Sequence, residues 1–191
     1  MKLVSYQKNE ELLHKVPHVK FCDLAIIFMC SVSDFLDEYA TILIYNHHLS
    51  MWNVNVDELY RIAMLNTPRQ FPVHYERMED YFDRIVENDL SFLAELDMYL
   101  LTNNIKIHGA TCMTYPNLLK SISETLQDNL IIIPSSIHEV LILPETRTKE
   151  TYTMEHLQDM ICEVNDTQLT DAEILSDHAY IYMRESGDII Y

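Results

Sequence analysis

The feature that most restricts the fold is the near absence of glycine: the chain has only Gly109 and Gly187 among its 191 residues. Glycine lets a backbone adopt left-handed conformations and approach a phosphate group closely. The dinucleotide-binding fingerprint and the P-loop each need several glycines at fixed spacing. The chain is therefore not expected to use a glycine-rich loop to hold a nucleotide, and its turns must rely on other residues.

Short apolar runs predict the strands. Residues 21–32 and 39–46 flank the acidic stretch 33–38 and are expected to form a hairpin at the centre of a sheet. Further strands are expected at 2–7, 97–102, 110–115, 129–133, 137–143, 179–183 and 188–191. Strand pairs joined by short turns and interrupted by single helices predict an α+β fold with a largely antiparallel sheet and several flanking helices.

Helical periodicity and capping residues predict the helices. Asn55 and Glu58 form a capping-box pattern that starts a helix over 56–65, and Asn66-Thr67-Pro68 is expected to end it. The other predicted helices cover 9–15, 75–88, 116–127, 154–165 and a short piece at 171–175. A chain of this length fits a single α+β domain over residues 1–191. Within this domain, residues 150–191 can be set apart as an acidic C-terminal subregion.

The charge is large and unevenly distributed. The formal net charge is −17, and residues 73–100 (two bases, eight acids) and 150–191 (one base, ten acids) account for −15 of it. Such a balance disfavours direct binding to nucleic acid or to an anionic membrane, because Lys and Arg supply most of that affinity. A basic protein or ribonucleoprotein is the expected partner. No apolar run approaches the length of a membrane span, and a cytoplasmic location is expected.

Two acidic rows are the candidate partner-binding residues. In the predicted helix 75–88, the row is Glu76, Glu79, Asp80, Asp83 and Glu87. In the predicted helix 154–165 and just beyond it, the row is Glu155, Asp159, Glu163 and Asp166, opposite a core face of Met154, Leu157, Ile161 and Val164. The first row has about one charge per 4 Å, close to the phosphate spacing of about 3.4 Å along a DNA strand. Either row could be a solvated helix face, or a surface that imitates a nucleic-acid backbone and fills a basic groove.

The most enzyme-like string contains Ser136, His138 and Glu139. A hydrolase needs these groups to converge in space, whereas a turn followed by a pairing strand explains the same residues without chemistry. The adjacent His47 and His48 lack a third ligand at a familiar metal spacing and are interpreted as cap and surface residues. No catalytic residue, metal site or cofactor is therefore assigned.

Several strings in order resemble a family of domains of unknown function that is abundant in gut bacteria and their mobile elements. The matching strings are residues 3–9, 16–18, 23–26, 40–44, 66–68, 109–112, 134–140 and 165–168, which include Asn66-Thr67-Pro68 and Gly109-Ala110-Thr111-Cys112. Members of that family usually carry an extra N-terminal region before the stretch that begins at Lys2. The resemblance therefore implies a truncated, element-borne form.

A short acidic protein of this kind is similar to type II-A anti-CRISPR proteins. The resemblance implies a non-enzymatic inhibitor of the RNA-guided DNA nuclease, which holds nucleic acid in positively charged channels. A guide-loaded CRISPR nuclease is then the expected partner. The alternatives are a hydrolase that uses Ser136, His138 and Glu139, and an antitoxin-like interaction module of a mobile element.

Overall fold

A computed structural model describes residues 1–32, 40–83 and 97–191, with the side chains of 81–83 left out of the description. The strands are β1 (Lys2–Ser5), β2 (His18–Phe21), β3 (Leu24–Ile27), β4 (Met29–Ser31), β5 (Thr41–Leu43), β6 (Val73–Arg77), β7 (Tyr99–Asn103), β8 (Leu130–Ser136), β9 (Glu139–Pro144), β10 (Tyr180–Tyr182) and β11 (Ile189–Ile190). The helices are α1 (Glu10–Leu13), α2 (Asn46–Trp52), α3 (Val56–Gln70), α4 (Met78–Asp83), α5 (Leu118–Leu126), α6 (Glu145–Thr151) and α7 (Met154–Gln168). A 3-10 helix precedes α1 (Gln7–Asn9) and another follows β7 (Gly109–Thr114).

The strands of the described residues form three antiparallel sheets. The largest has six strands in the order β11-β10-β8-β9-β7-β6, the second has the order β1-β3-β2, and β4 pairs only with β5. The predicted α+β class with a largely antiparallel sheet is therefore confirmed. The predicted hairpin of residues 21–32 and 39–46 is partly right, because β4 and β5 do pair, but they form a sheet of their own and do not occupy the centre of a larger one.

The six-stranded sheet is buried on both faces. Leu130, Ile132 and Ile142 contribute to the main core, where they join Leu3 and Leu24 of the three-stranded sheet. The alternate residues of β8 and β9, Ile131 and Leu143, point to the other face and pack with Leu157 and Ile161 of α7. The side chains of a strand alternate between faces, so β8 and β9 can support two cores at once. This double burial fixes the position of α7.

Three predicted elements are wrong. Residues 73–77 form strand β6 instead of the first turns of a helix 75–88. Residues 109–114 form a buried 3-10 helix instead of a strand, and the predicted short helix 171–175 is absent, with a turn at residues 171–173. Two boundaries also differ: α3 continues through Pro68 to Gln70, and β8 continues through residues 134–136.

The helices of the described residues include none that is long and apolar enough to cross a membrane.

Candidate functional site

Helix α7 carries the second predicted acidic row and is held firmly on the sheet. The Thr153 hydroxyl accepts a hydrogen bond from the backbone N–H of His156 at 3.2 Å, which caps the first turn. At the other end the Asn165 amide donates to the Ser176 carbonyl at 3.0 Å and to Asp177 Oδ1 at 2.9 Å. The predicted helix 154–165 is thus confirmed and is one turn longer, ending at Gln168.

The four predicted carboxylates of α7 are all exposed: Glu155, Asp159, Glu163 and Asp166. At about 100° per residue they lie within an arc of about 80°, and they extend over about 16 Å of the helix. Among the residues the structure describes, none of them has a Lys, Arg or His nitrogen within 4.0 Å. We call these four residues the α7 acidic row. Its charge is displayed without local compensation.

An apolar strip lies beside the α7 acidic row. Met160 is 47 % exposed and Val164 is 43 % exposed, and the two are one turn apart on the helix. Val164 was expected in the core, but Asn165 occupies the buried position in its place. Met160 and Val164 thus add exposed apolar area beside the charged row. The apolar spacing along the sequence does not indicate that Met160 belongs to such a strip.

The thiol of Cys162 lies close to charged groups of the α7 acidic row. Burial, followed by the negative charges of Asp177, Asp166 and Asp159, raises the pKa of Cys162. Two of those three carboxylates belong to the α7 acidic row. Cys162 is thus placed among the acidic groups of the C-terminal half of α7.

The first predicted acidic row does not form a helix face. Glu76 lies in β6, opposite Leu100 of β7, and its side chain is only 13 % exposed. Its Oε1 atom is 2.5 Å from His74 Nε2, two residues away on the same side of the strand. Tyr75, expected on the core side of a helix, stacks on Tyr99 of the neighbouring strand at 5.1 Å between ring centroids. Pairing with β7 has overridden the helical spacing of this segment.

Of the remaining members of the first row, three lie on the short helix α4 and one lies outside the described residues. Glu79 is exposed and lies 3.7 Å from Arg77. Asp80 is exposed, and Asp83 is the last residue of α4. Glu87 lies outside the described residues. Asp97, the last acid of this segment, forms ion pairs with Arg77 at 2.9 Å and with Arg147. Glu79 and Asp97 thus have arginines close by, and among the described residues the α7 acidic row becomes the candidate functional site.

The string around Ser136 forms the end of a hairpin. The Ser136 hydroxyl accepts a hydrogen bond from the backbone N–H of His138 at 3.0 Å, and His138 Nδ1 accepts one from the backbone N–H of His108 at 3.2 Å. Ser136 pairs with Glu139 across the two-residue turn Ile137-His138. The expected turn and pairing strands are confirmed, although the turn lies three residues later than predicted. These contacts position the hairpin and do not link Ser136 to the His138 ring.

A second imidazole, that of His108, stacks on His138 with 5.7 Å between ring centroids. Burial, then the positive charges of Lys2, His138 and the chain terminus, lowers the pKa of His108 to about 4. His108 also has a left-handed backbone with φ of 54°. Asparagine tolerates that conformation better than most residues.

Replacing His108 with Asn should reduce the acid sensitivity of the fold. Between pH 6.5 and pH 4 the unfolded chain binds a proton at His108 that the folded chain does not, so the free energy of unfolding falls as the pH falls through this window. The loss is about 1–2 kcal/mol after allowance for solvent exposure, and none arises above pH 6.5. Urea denaturation at pH 7 and pH 4 measures it. The exposed His14→Asn variant is the control and should follow the wild type.

A polar network joins the turn between β2 and β3 to the C-terminal strands. Asp23 Oδ1 accepts a hydrogen bond from the Tyr180 hydroxyl at 2.7 Å, and Asp23 Oδ2 lies 3.1 Å from His178 Nε2 and 3.4 Å from Ser176 Oγ. His178 therefore pairs with Asp23, and the neighbouring Asp177 bonds Asn165. Ser176 contacts the carboxylate instead of the imidazole, so the three groups do not form the chain Ser–His–Asp that a hydrolase uses.

Replacing Tyr180 with Phe should destabilise the fold by about 1–2 kcal/mol, because a buried hydroxyl that donates to a carboxylate is lost. Tyr180 is fully buried, and burial followed by the bond to Asp23 raises its pKa well above the ordinary value, so the phenol remains a donor. Urea denaturation at pH 7 provides the measurement. Tyr182→Phe is the matched control, since Tyr182 is also buried in β10; equal losses in both variants would contradict a role for the network.

One of the two adjacent histidines, His48, has a structural position at the start of α2. His48 Nδ1 accepts a hydrogen bond from the backbone N–H of Tyr45 at 3.0 Å and stacks on Trp52, which confirms His48 as a cap of α2. Across the described ranges, no three His, Cys, Asp or Glu side chains are grouped to hold a metal ion.

These features define an α+β protein that carries an exposed acidic and apolar helix on one face of an antiparallel sheet. The chain belongs to a family of unknown function, DUF5688, whose profile matches residues 1–184. Comparison with curated proteins and with solved structures found no match.

Proposed function

We propose that this protein is a non-enzymatic inhibitor that docks the α7 acidic row against a basic surface of a protein that processes nucleic acid. The observation that carries this proposal is the display of four exposed carboxylates, uncompensated by any described cation, beside the exposed Met160 and Val164. Charges accelerate and orient an encounter, while apolar groups contribute the burial that holds a complex together. Helix α7 presents both the charged and the apolar groups on one helix that is packed against the sheet.

The target that we propose is the guide-loaded DNA nuclease of a type II CRISPR system, met in a bacterial cytoplasm. Such nucleases hold guide, target and displaced strand in positively charged channels and read their short recognition sequence with arginines. A row of carboxylates along about 16 Å of helix could occupy the Lys and Arg groups that otherwise bind several consecutive phosphates. Occupancy of such a channel requires no chemistry from the inhibitor.

A cleavage assay tests the target. Purified protein is mixed with guide-loaded nuclease before labelled target DNA is added, and the remaining cleavage is measured at rising inhibitor concentration. We expect inhibition that saturates near one inhibitor per nuclease and that weakens as salt is raised, because exposed charges are screened within about 10 Å at 0.1 M ionic strength. Undiminished cleavage at large molar excess would contradict the nuclease as target.

A capture experiment separates the nuclease from the antitoxin-like alternative. The protein is immobilised, exposed to lysate of a bacterium that carries a type II system, and washed with increasing salt. Recovery of the guide-loaded nuclease supports the proposal, whereas salt-dependent recovery of a small basic toxin alone would assign the α7 acidic row to toxin neutralisation.

A further inference from the structure

A cleft of about 510 Å³ lies away from α7, between α3, the β4–β5 hairpin and the loop that follows β7. This volume is within the usual range for sites that bind small molecules, about 300–1,000 Å³. Three large apolar side chains at its wall are unusually exposed: Trp52 is 49 % exposed, Ile62 is 43 % and Ile107 is 40 %. The inner wall includes Phe28 and Leu59 of the main core. The cleft thus has an apolar inner wall and opens to solvent.

The lining of the cleft carries no formal charge on its side chains. Of the twenty-one described residues that line it, none is Asp, Glu, Lys or Arg, although such residues make up 23 % of the chain and about five would be expected by composition. The imidazole of His108 is also part of the lining, and its lowered pKa of about 4 keeps it neutral at pH 7. The α-amino group of Met1 is in the lining as well, and burial lowers its pKa to about 6, so it is mostly neutral at pH 7. A lining without a fixed charge is unfavourable for an ion of either sign.

Two of the polar residues in the lining are amides on α3. Asn66 and Gln70 are exposed and lie one turn apart on the face of α3 that borders the cleft. Neither side chain has a hydrogen-bond partner among the described residues. By contrast, the Asn103 amide is fully engaged with the backbone of Ile105 and Ile107. A primary amide offers one acceptor and two donors, so Asn66 and Gln70 match a ligand group that has both.

From this arrangement we propose that the cleft binds an uncharged, mostly apolar small molecule that presents an amide-like edge to Asn66 and Gln70. The apolar body of the ligand packs against Trp52, Ile62 and Phe28, and its donor and acceptor atoms meet the two amides at the rim. The site is separate from the α7 acidic row and does not depend on the proposed inhibition.

Trp52 makes the site measurable, because it is the only tryptophan of the chain and lines the cleft. The probe is uncharged N-phenyl-1-naphthylamine, which takes up the excitation energy of a nearby tryptophan. Its sulfonated analogue, 8-anilino-1-naphthalenesulfonate, differs by one negative charge. We expect saturable energy transfer from Trp52 to the neutral probe and at least about tenfold weaker binding of the sulfonate, because an unpaired charge is unfavourable in this lining. Equal affinities, or no saturable transfer, would overturn the proposal.

A matched pair of variants on α3 locates the binding. Ile62→Glu places a carboxylate in the cleft, and Leu65→Glu places one on the same helix at a position that is 50 % exposed and outside the lining. Ile62→Glu should weaken binding of the neutral probe at least about tenfold, and Leu65→Glu should change it by less than about twofold. Far-ultraviolet circular dichroism confirms that both fold. Equal effects of the two substitutions would place the probe elsewhere and overturn the assignment.

The amide edge has its own test. The double variant Asn66→Leu and Gln70→Leu should weaken binding of 1-naphthamide, an uncharged probe with a primary amide, by about fivefold through the loss of its hydrogen bonds. Leu65→Glu, which lies outside the lining, is the control and should bind 1-naphthamide within about twofold of the wild type. An unchanged affinity for 1-naphthamide would remove Asn66 and Gln70 from the site.

Discussion

Reversal of the α7 acidic row is expected to weaken inhibition of the guide-loaded nuclease by about a hundredfold. The variant replaces Glu155, Asp159, Glu163 and Asp166 with Lys and is tested in the cleavage assay at low salt. An exposed ion pair contributes about 0.2–1 kcal/mol. Because reversal removes an attraction and adds a repulsion at each position, the total is about 3 kcal/mol, which corresponds to about a hundredfold in affinity.

The control variant changes the net charge equally at other exposed positions. It replaces Asp57, Glu124, Glu185 and Asp188 with Lys, all of which lie outside α7. We expect its inhibition to weaken by less than about tenfold, through the loss of long-range attraction alone. If both variants lose inhibition equally, net charge and not the α7 acidic row is responsible. If neither loses it, the contact lies on another surface.

Replacing Gly109 with Ala is expected to lower the free energy of unfolding by about 3–4 kcal/mol. A Cβ atom built on Gly109 would lie 2.0 Å from Thr102 Oγ1, 2.5 Å from the His138 carbonyl oxygen and 2.7 Å from the Asn103 backbone nitrogen. The same Thr102 hydroxyl donates to the His138 carbonyl at 2.8 Å, so the methyl group would both overpack the site and break this hydrogen bond. Overpacking contributes about 1–3 kcal/mol and the bond about 1 kcal/mol.

The second glycine supplies a control for that experiment. Gly187 has a left-handed backbone with φ of 78°, but the nearest atom to an added Cβ is the Tyr182 hydroxyl oxygen at 3.6 Å. Gly187→Ala should therefore lose only about 1 kcal/mol, from backbone strain alone. Thermal and urea denaturation at pH 7 compare the two. Equal losses would show that the close approach at Gly109 is relieved by movement of its neighbours.

The most accurate predictions from the sequence were the helices whose ends are determined by neighbouring residues. The capping box of Asn55 and Glu58 is present in α3, with both reciprocal bonds at 2.9 and 3.0 Å. Helix α7 follows from its apolar spacing, and the acids of its outer face were placed correctly for the same reason. These features depend on residues within one or two turns of each other, so the chain alone determines them.

The wrong predictions fall on segments whose structure is determined by contacts with residues distant in the sequence. Tyr75 and Glu76 belong to a stretch with the apolar spacing of a helix, yet they pair with β7 and are part of the sheet. Residues 110–115 are apolar enough for a strand, but the contact of Gly109 with β7 and with the β8–β9 turn winds them into a buried 3-10 helix. The cleft joins residues from four separate segments. No pattern along the chain indicated that its lining would be uncharged.

The bond between Asp23 and Tyr180 links groups separated by 157 residues, and this separation governs how the protein is made. At about 5–20 residues added per second, Asp23 is synthesised about 10–30 s before Tyr180. During that interval β1 and β3 have no C-terminal strand to cover their buried side. Newly made chains should therefore need chaperones during synthesis, and premature termination before β10 should yield a product that aggregates or is degraded.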